Sequence, residues 1–278
     1  MYRKGGQNMA RQQRCGLLDT VRGLALTSMA AYHLAWDLVY VYHGSLPWFT
    51  GMPGYVWQQA TCWAFILLSG FCAALAERSY GAASAAAPAG AAVPAAPLPH
   101  ARSRRADRAL VLLGAGLVVT AISFFALPDR PIYFGILTFL GTAVLATLAL
   151  EGLLRRVPAR AGLAGSLLLF LLLRDLNFER LGFEGIRLAD LPGGWYRYGL
   201  PGTFFGFQQA SLPMADYYSL LPWLFLFWGG YYACRTLPVL PPWFRRSLEP
   251  FAWAGRHSLL LYLLHQPVLY GLLALWFR

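Results

Sequence analysis

Residues 17–42, LLDTVRGLALTSMAAYHLAWDLVYVY, form an apolar stretch of membrane-spanning length that carries acidic, basic and imidazole side chains. Asp19 and Arg22 stand at its start, and His33 and Asp37 lie within it. Charged residues and histidines inside a membrane span cost free energy, and they usually mark a functional site. The stretch therefore predicts a membrane helix with a function beyond anchoring.

The composition of the whole chain is typical of a polytopic membrane protein. Hydrophobic residues make up 58% of the 278 residues, and charged residues make up 13%. Soluble domains have about 45–50% apolar and about 25% charged residues. The net charge of +11 comes almost entirely from arginine, in clusters between apolar stretches. Such clusters indicate cytoplasmic loops rather than nucleic-acid binding.

The apolar stretches predict an all-α fold, a helical bundle with about seven transmembrane helices. The predicted spans are 20–42, 56–77, 108–127, 131–153, 160–175, 217–235 and 251–275. Arginine-rich and arginine-poor loops alternate, so we expect the N-terminus in the cytoplasm and the C-terminus outside. We expect one domain over 1–278, with a flexible Ala/Pro-rich cytoplasmic linker at 78–107 and a large extracytoplasmic loop at 176–216.

Helical geometry places the polar residues of the first span on one face. About five turns separate Asp19 from Asp37, and Arg22 and His33 fall within about 60° of them. His33 and Asp37 are at positions i and i+4, close enough to touch. A carboxylate beside an imidazole fixes its tautomer and raises its basicity, which suits a general base. The alternative is a structural pair that bonds neighbouring helices.

The last predicted span carries a second polar stripe. Arg256 and Ser258 stand at its start, and Tyr262, His265 and Gln266 follow at helical spacing. Two interpretations stay open for the stripe, a binding site or polar contacts between helices. Arg256 near the inner surface suits either a lipid phosphate or an anionic cofactor.

Several classes of site are absent from the sequence. The P-loop, the HExxH zinc motif and the GxSxG nucleophile elbow do not occur. His33 and His265 are of the residue type that could ligate a haem between two spans. A multi-haem cytochrome usually repeats such pairs at matching depth, so we expect no metal and no haem.

Three blocks of sequence carry a family resemblance. They are LDTVRGLAL with YH and WD after it (18–37), ADYYSLLPW (215–223) and GRHSLLLYLLHQP (255–267). Together they resemble the heparan-α-glucosaminide N-acetyltransferase-like family of membrane acyltransferases. The resemblance implies that acetyl-CoA donates an acetyl group on the cytoplasmic side, and that the amine of a terminal glucosamine accepts it across the membrane. In the family, the active histidine follows the first span in a short His-(Ala/Gly)-Ser stretch. Here that stretch is His43-Gly44-Ser45, so His43 is the best match to the active histidine.

A mechanism that fits this resemblance assigns roles to individual residues as a hypothesis. The base would be His43, or His33 oriented by Asp37. The donor acetyl-CoA would bind at Asp19, Arg22, Arg256 and Ser258. The amino sugar or glycan acceptor would bind at Asp216, Tyr217, Trp223, His265 and Gln266.

The expected setting is an integral protein of the bacterial inner membrane. Its partners would be the lipid bilayer, acetyl-CoA and the acceptor, with a homodimer left open and nucleic acid not expected. The alternative function is a non-catalytic exporter or flippase for a sugar or lipid, which would use the same polar residues as a pathway. Such transporters usually have broken helices at paired positions, and the sequence has no visible internal repeat.

Overall fold

The computed structural model describes residues 15–85 and 99–277, and these are mostly helical. The helices are α1 (Gly16–Tyr40), α2 (Met52–Ala85), α3 (Pro99–Ala126), α4 (Ile136–Ala149), α5 (Glu151–Arg156), α6 (Ala159–Leu173), α7 (Gly199–Phe205), α8 (Trp223–Thr236), α9 (Phe251–Arg256) and α10 (Ser258–Trp276). An antiparallel hairpin of β1 (Arg180–Phe183) and β2 (Ile186–Asp190) adds a small sheet to the all-α fold that we predicted.

Four helices in the described part of the chain are long and apolar enough to cross a membrane. The candidate spans are Met52–Arg78 in α2, Arg102–Ala126 in α3, Ala159–Phe178, which begins with α6, and Ser258–Trp276, which is α10. The α1 helix has 25 residues, which is a sufficient length, but it carries three charged side chains. The α4 and α8 helices have 14 residues each, or about 21 Å against a hydrocarbon core of about 30 Å. The count of seven spans and the orientation of the termini stay predictions.

Three predicted spans have different helical limits in the structure. The span predicted at 131–153 becomes helical only at Ile136, and the one at 217–235 only at Trp223, each after a proline-containing segment. The span predicted at 251–275 is interrupted at His257, whose backbone angles are φ −106° and ψ 22°. These segments lie in mostly apolar sequence, so a prediction from hydropathy includes them in the span although they are not helical.

The predicted linker at 78–107 is helical at both of its described ends. Residues 78–85 belong to α2, and residues 99–107 belong to α3. The middle of the predicted linker, 86–98, lies outside the described residues. The predicted loop at 176–216 contains the β-hairpin and α7, so much of it has regular structure.

The described residues form two compact units, and the prediction of one domain over 1–278 stays a prediction. The terminal unit consists of the described residues within Met1–Leu68 and Leu237–Arg278. The central unit consists of those within Ser69–Thr236. The first and third sequence blocks belong to the terminal unit, and the second block belongs to the central unit.

In the terminal unit, α1 and α9 cross with their backbones in contact. A Cβ atom on Gly23 would lie 1.9 Å from the carbonyl oxygen of Phe251, and one on Gly255 would lie 1.8 Å from that of Asp19. Small residues allow two helices to approach this closely. The two glycines of the first and third blocks therefore join segments that are far apart in the sequence.

In the central unit, a buried network of charges ties together the ends of several helices. Arg105 donates to Glu151 at 3.1 Å, and both residues are less than a tenth exposed. Arg155 donates to Glu77 at 2.6 Å and also pairs with Glu151. The Tyr231 hydroxyl donates to the other oxygen of Glu77 at 2.7 Å. Each buried carboxylate thus has donors, as buried charges require.

Candidate functional site

Four polar residues of the terminal unit meet where α1 faces α10, and we call them the α1–α10 seam: His33, Asp37, His265 and Gln266. His33 and Asp37 are one turn apart on α1, and the other two are consecutive on α10. The ring centroids of His33 and His265 lie 5.0 Å apart. Nε2 of Gln266 donates to both carboxylate oxygens of Asp37, at 2.9 and 3.2 Å. The seam thus contains two adjacent cross-helix pairs.

Asp37 does not orient His33 as the spacing led us to expect. No hydrogen bond joins these two side chains among the described residues, and both Asp37 oxygens accept from Gln266 instead. Asp37 is only 1% exposed, so a strong donor is needed to offset its burial. The amide on the opposite helix supplies that donor, whereas the His33 ring packs against His265.

The His265 ring has a defined tautomer. Its Nδ1 lies within hydrogen-bond distance of the Tyr262 carbonyl oxygen. A carbonyl oxygen only accepts, so Nδ1 carries the hydrogen, and in the neutral ring Nε2 is an acceptor. Within residues 15–85 and 99–277, neither Nε2 of His265 nor Oε1 of Gln266 has a hydrogen-bond partner, and both atoms are buried.

A cluster of aromatic and hydroxyl residues adjoins the seam, although no motif in the sequence indicates it. Tyr32 contacts Phe49 and Trp57, with ring centroids 5.0 and 5.6 Å apart. The Trp57 indole donates to Ser28 at 2.8 Å, and Ser28 shares a hydrogen bond with Thr61 at 2.9 Å. Ser28 and Thr61 are hydroxyl residues within two successive apolar stretches, and that pattern could have indicated a polar contact between the two helices. The cluster fixes α1 against the first part of α2.

The α1–α9 crossing places charged residues on both of its segments. Arg22 pairs with Asp19 at 3.3 Å, and Arg256 pairs with Glu249 at 3.0 Å. Ser258 begins α10 immediately after the break at His257. Four predicted donor-site residues thus lie at or next to one helix crossing.

A family model described as heparan-alpha-glucosaminide N-acetyltransferase, catalytic, matches residues 14–267. The chain belongs to this family. The match confirms the resemblance noted from the sequence, and it contains both the seam and the α1–α9 crossing. No curated protein and no solved structure matches the chain.

Membership in the N-acetyltransferase family and the apolar helices together indicate an integral membrane enzyme of the acetyltransferase type. The described residues contain no group of three or more His, Cys, Asp or Glu side chains that could hold a metal ion.

His43, the best match to the active histidine of the N-acetyltransferase family, lies just after α1. It is exposed and has a positive φ of 55°. Such a conformation is uncommon outside glycine, and histidine adopts it more readily than most residues. The following residue, Gly44, donates its N–H to the Leu38 carbonyl at 2.8 Å. This contact turns the chain back toward the end of α1 and fixes the backbone on one side of His43.

The three other predicted acceptor residues belong to the central unit. The Asp216 carboxylate accepts the Ile136 N–H at the start of α4. Desolvation of the carboxylate by neighbouring protein atoms raises its pKa, although part of the residue is exposed to solvent. The negative charge suits a helix N-terminus. A capping role is therefore the simplest account of this side chain.

Tyr217 and Trp223 also have protein partners in the central unit. The Tyr217 hydroxyl donates to the Thr203 carbonyl oxygen. The Arg174 guanidinium lies over the Trp223 ring, 5.0 Å from its centroid, which is within cation–π range. Trp223 is buried. These contacts hold the second block in place.

Proposed function

We propose that the protein is a transmembrane acyltransferase that moves an acetyl group from cytoplasmic acetyl-CoA to the amine of an amino sugar or glycan on the extracytoplasmic side. Family membership supports the acetyl transfer. The observation that carries the proposal is the His33–His265 pair, two imidazoles 5.0 Å apart beside a buried carboxylate–amide pair. Imidazole is the side chain most often used as a general base.

The reaction requires a free amine and a base. The amine nitrogen attacks the thioester carbonyl carbon, the new C–N bond forms, and the C–S bond breaks. The proton lost by the nitrogen passes to the base and then to the departing thiolate, which leaves as free CoA. His43, or His33 in the seam, is the proposed base. Hydrogen-bond donors near the carbonyl oxygen would stabilise its developing charge.

The proposed donor site is the α1–α9 crossing. Arg22 and Arg256 each present a guanidinium, which binds phosphate through paired hydrogen bonds. Each guanidinium now pairs with a carboxylate that is partly exposed, and exchange of that carboxylate for a phosphate would keep the guanidinium paired with an anion. The phosphates of CoA can therefore replace these carboxylates, with Asp19 and Ser258 shaping the site.

The proposed acceptor residues are Asp216, Tyr217 and Trp223 in the central unit, and His265 and Gln266 in the seam. For the first three, which already have partners within the central unit, the proposed role in binding the sugar rests on their place in the second family block. The two seam residues have buried acceptor atoms without a partner among the residues described.

Labelled acetyl-CoA tests the proposal directly. Membranes that contain the protein are incubated with glucosamine, other amino sugars and their hydroxyl analogues, and labelled product is measured. We expect label in the amino sugars only. Absence of transfer, together with absence of thermal stabilisation of the purified protein by CoA, would overturn the proposal and favour the transport alternative.

Histidine variants then identify the base. Removal of a general base typically costs about 10²–10⁴-fold in rate, so His43→Ala and His33→Ala are compared under saturating substrates. Thr50→Ala, an exposed substitution in the loop that follows His43, is the control. Full activity in both histidine variants would contradict the assignment of the base to these two positions.

A further inference from the structure

Two acceptor atoms of the seam are left without donors. They are Nε2 of His265 and Oε1 of Gln266, both buried and without a hydrogen-bond partner in the described part of the chain. Buried polar groups in native proteins almost always have a partner, and an unpaired one costs free energy. Two such atoms on consecutive residues indicate a place where a ligand supplies donors.

The acceptor character of both atoms is imposed by their neighbours. Both Asp37 oxygens accept hydrogen bonds from the amide nitrogen of Gln266. The amide is planar, so its carbonyl oxygen points away from Asp37. The Tyr262 carbonyl takes the Nδ1 hydrogen of His265, so Nε2 has a lone pair in the neutral ring. The seam is therefore fixed as a pair of acceptors.

The two atoms lie along the same helix contact. Gln266 donates a hydrogen bond to Asp37 of α1. His265 packs on His33, which lies one turn before Asp37 on α1. The His33 and His265 residues are only half-buried. The surface of these two residues is therefore the side from which a small group can approach the seam.

A primary amine fits these two acceptors better than other groups of a sugar. It has two N–H donors in its neutral form, and when both are bound its lone pair stays free to attack a carbonyl carbon. A hydroxyl group has only one donor. Phosphate and carboxylate groups have no donors when fully ionised, and the buried Asp37 charge would repel them.

We propose that the seam binds the primary amine of the acceptor, with His265 and Gln266 as the residues that select an amine over a hydroxyl. Asp37 is a positioning residue that acts through Gln266. The inference deepens the proposed function, on which it rests for the identity of the amine as the acceptor of the acetyl group.

An exchange of the carboxylate and the amide tests the positioning role. Asp37→Asn keeps the shape of the side chain but removes the demand for two hydrogen bonds, so the Gln266 amide can turn and present its nitrogen to the ligand. In Asp37→Asn/Gln266→Glu, the introduced amide donates to the introduced carboxylate, whose other oxygen is again an acceptor. The double variant should therefore restore the site that the single variant loses.

The measurement is equilibrium binding to the purified full chain without acetyl-CoA. Glucosamine is compared with glucose, which has a hydroxyl group in place of the amine. A site built for hydrogen bonds rejects an analogue that lacks the matching donor, so we expect at least about tenfold preference for glucosamine. Asp37→Asn should reduce the preference to about twofold or less, and the double variant should recover most of it. Tyr270→Phe, exposed one turn further along α10, is the control.

The outcomes separate the inference from the proposed function. Equal binding of glucosamine and glucose to the unaltered protein would overturn the inference, as would an unchanged preference in Asp37→Asn. It would then be water that satisfies the two acceptors. Amine preference that follows the predicted series, without any acetyl transfer, would support the inference about the seam and overturn the proposed function.

A merely structural role for Asp37 has a different signature. It would lower the thermal midpoint of Asp37→Asn and leave the ratio of glucosamine to glucose binding unchanged. In acetyl transfer, the positioning role predicts a higher KM for glucosamine in Asp37→Asn, with the KM for acetyl-CoA unaltered. An equal rise in both constants would contradict it.

Discussion

Gly23 of α1 packs against the backbone of α9, and Gly255 of α9 packs against the backbone of α1. A side chain at either position would collide with the backbone of the other helix. The contact atoms are the carbonyl oxygens of Phe251 and Asp19. Both glycines belong to the family blocks, as does Arg22 beside Gly23 and Arg256 beside Gly255. The Asp-x-x-Arg-Gly motif therefore has a packing role in addition to the proposed donor binding.

Gly23→Ala and Gly255→Ala should both destabilise the terminal unit. The added Cβ would lie under 2 Å from a carbonyl oxygen, and overpacking of this kind costs about 1–3 kcal/mol or more. We expect a lower midpoint of thermal unfolding in detergent. Gly271→Ala is the matched control, because nothing lies within 4 Å of a Cβ at that position on α10. A midpoint equal to that of the control would contradict the close crossing.

Thr20→Val should weaken the attachment of the segment before α9. The Thr20 hydroxyl accepts the Leu248 N–H at 2.9 Å while it donates to the Gly16 carbonyl at 3.0 Å. Valine has the same shape but leaves that N–H without its acceptor, at a cost of about 1–3 kcal/mol. The free energy of unfolding is measured beside Thr27→Val, whose hydroxyl bonds only within its own helix. Equal losses in the two variants would count against the cross-segment bond.

Arg22→Gln and Arg256→Gln should weaken binding of acetyl-CoA. Each removes one charge-assisted contact to phosphate, typically about 1.5–3 kcal/mol, or about 10–100-fold in affinity. Binding of CoA and of pantetheine, which has no phosphate, is measured in parallel, and pantetheine binding should be unchanged. Arg187→Gln in the exposed hairpin is the control. If both ligands lose affinity equally, the arginines shape the crossing without contacting phosphate.

Glu151→Leu should destabilise the central unit strongly. Glu151 accepts from Arg105 and Arg155, and its loss leaves the buried Arg105 guanidinium without its carboxylate. Breaking a buried pair costs about 3–5 kcal/mol, whereas Asp190→Asn, in the exposed pair with Arg187, should have a much smaller effect because solvent screens that pair. The two unfolding midpoints are compared at the same pH and salt. Similar small effects would show that the network contributes little.

The sequence predicted the membrane character, the family and the polar faces of the first and last spans. It did not predict which side chains pair across those faces. The spacing of His33 and Asp37 describes neighbours on one helix, whereas the partner of Asp37 is Gln266, and only tertiary packing determines that choice. The break at His257 was also missed, because the surrounding residues are apolar and hydropathy does not detect a change in backbone angles.

The bond between Gln266 and Asp37 spans 229 positions of the chain. During synthesis, α1 emerges from the ribosome long before α10 is made. The Asp37 carboxylate therefore cannot form its hydrogen bonds to the Gln266 amide until α10 has been made. Until α10 is in place, the carboxylate lacks this donor. The order of translation thus leaves the seam incomplete until α10 has been made, and any activity that depends on the seam must await that helix.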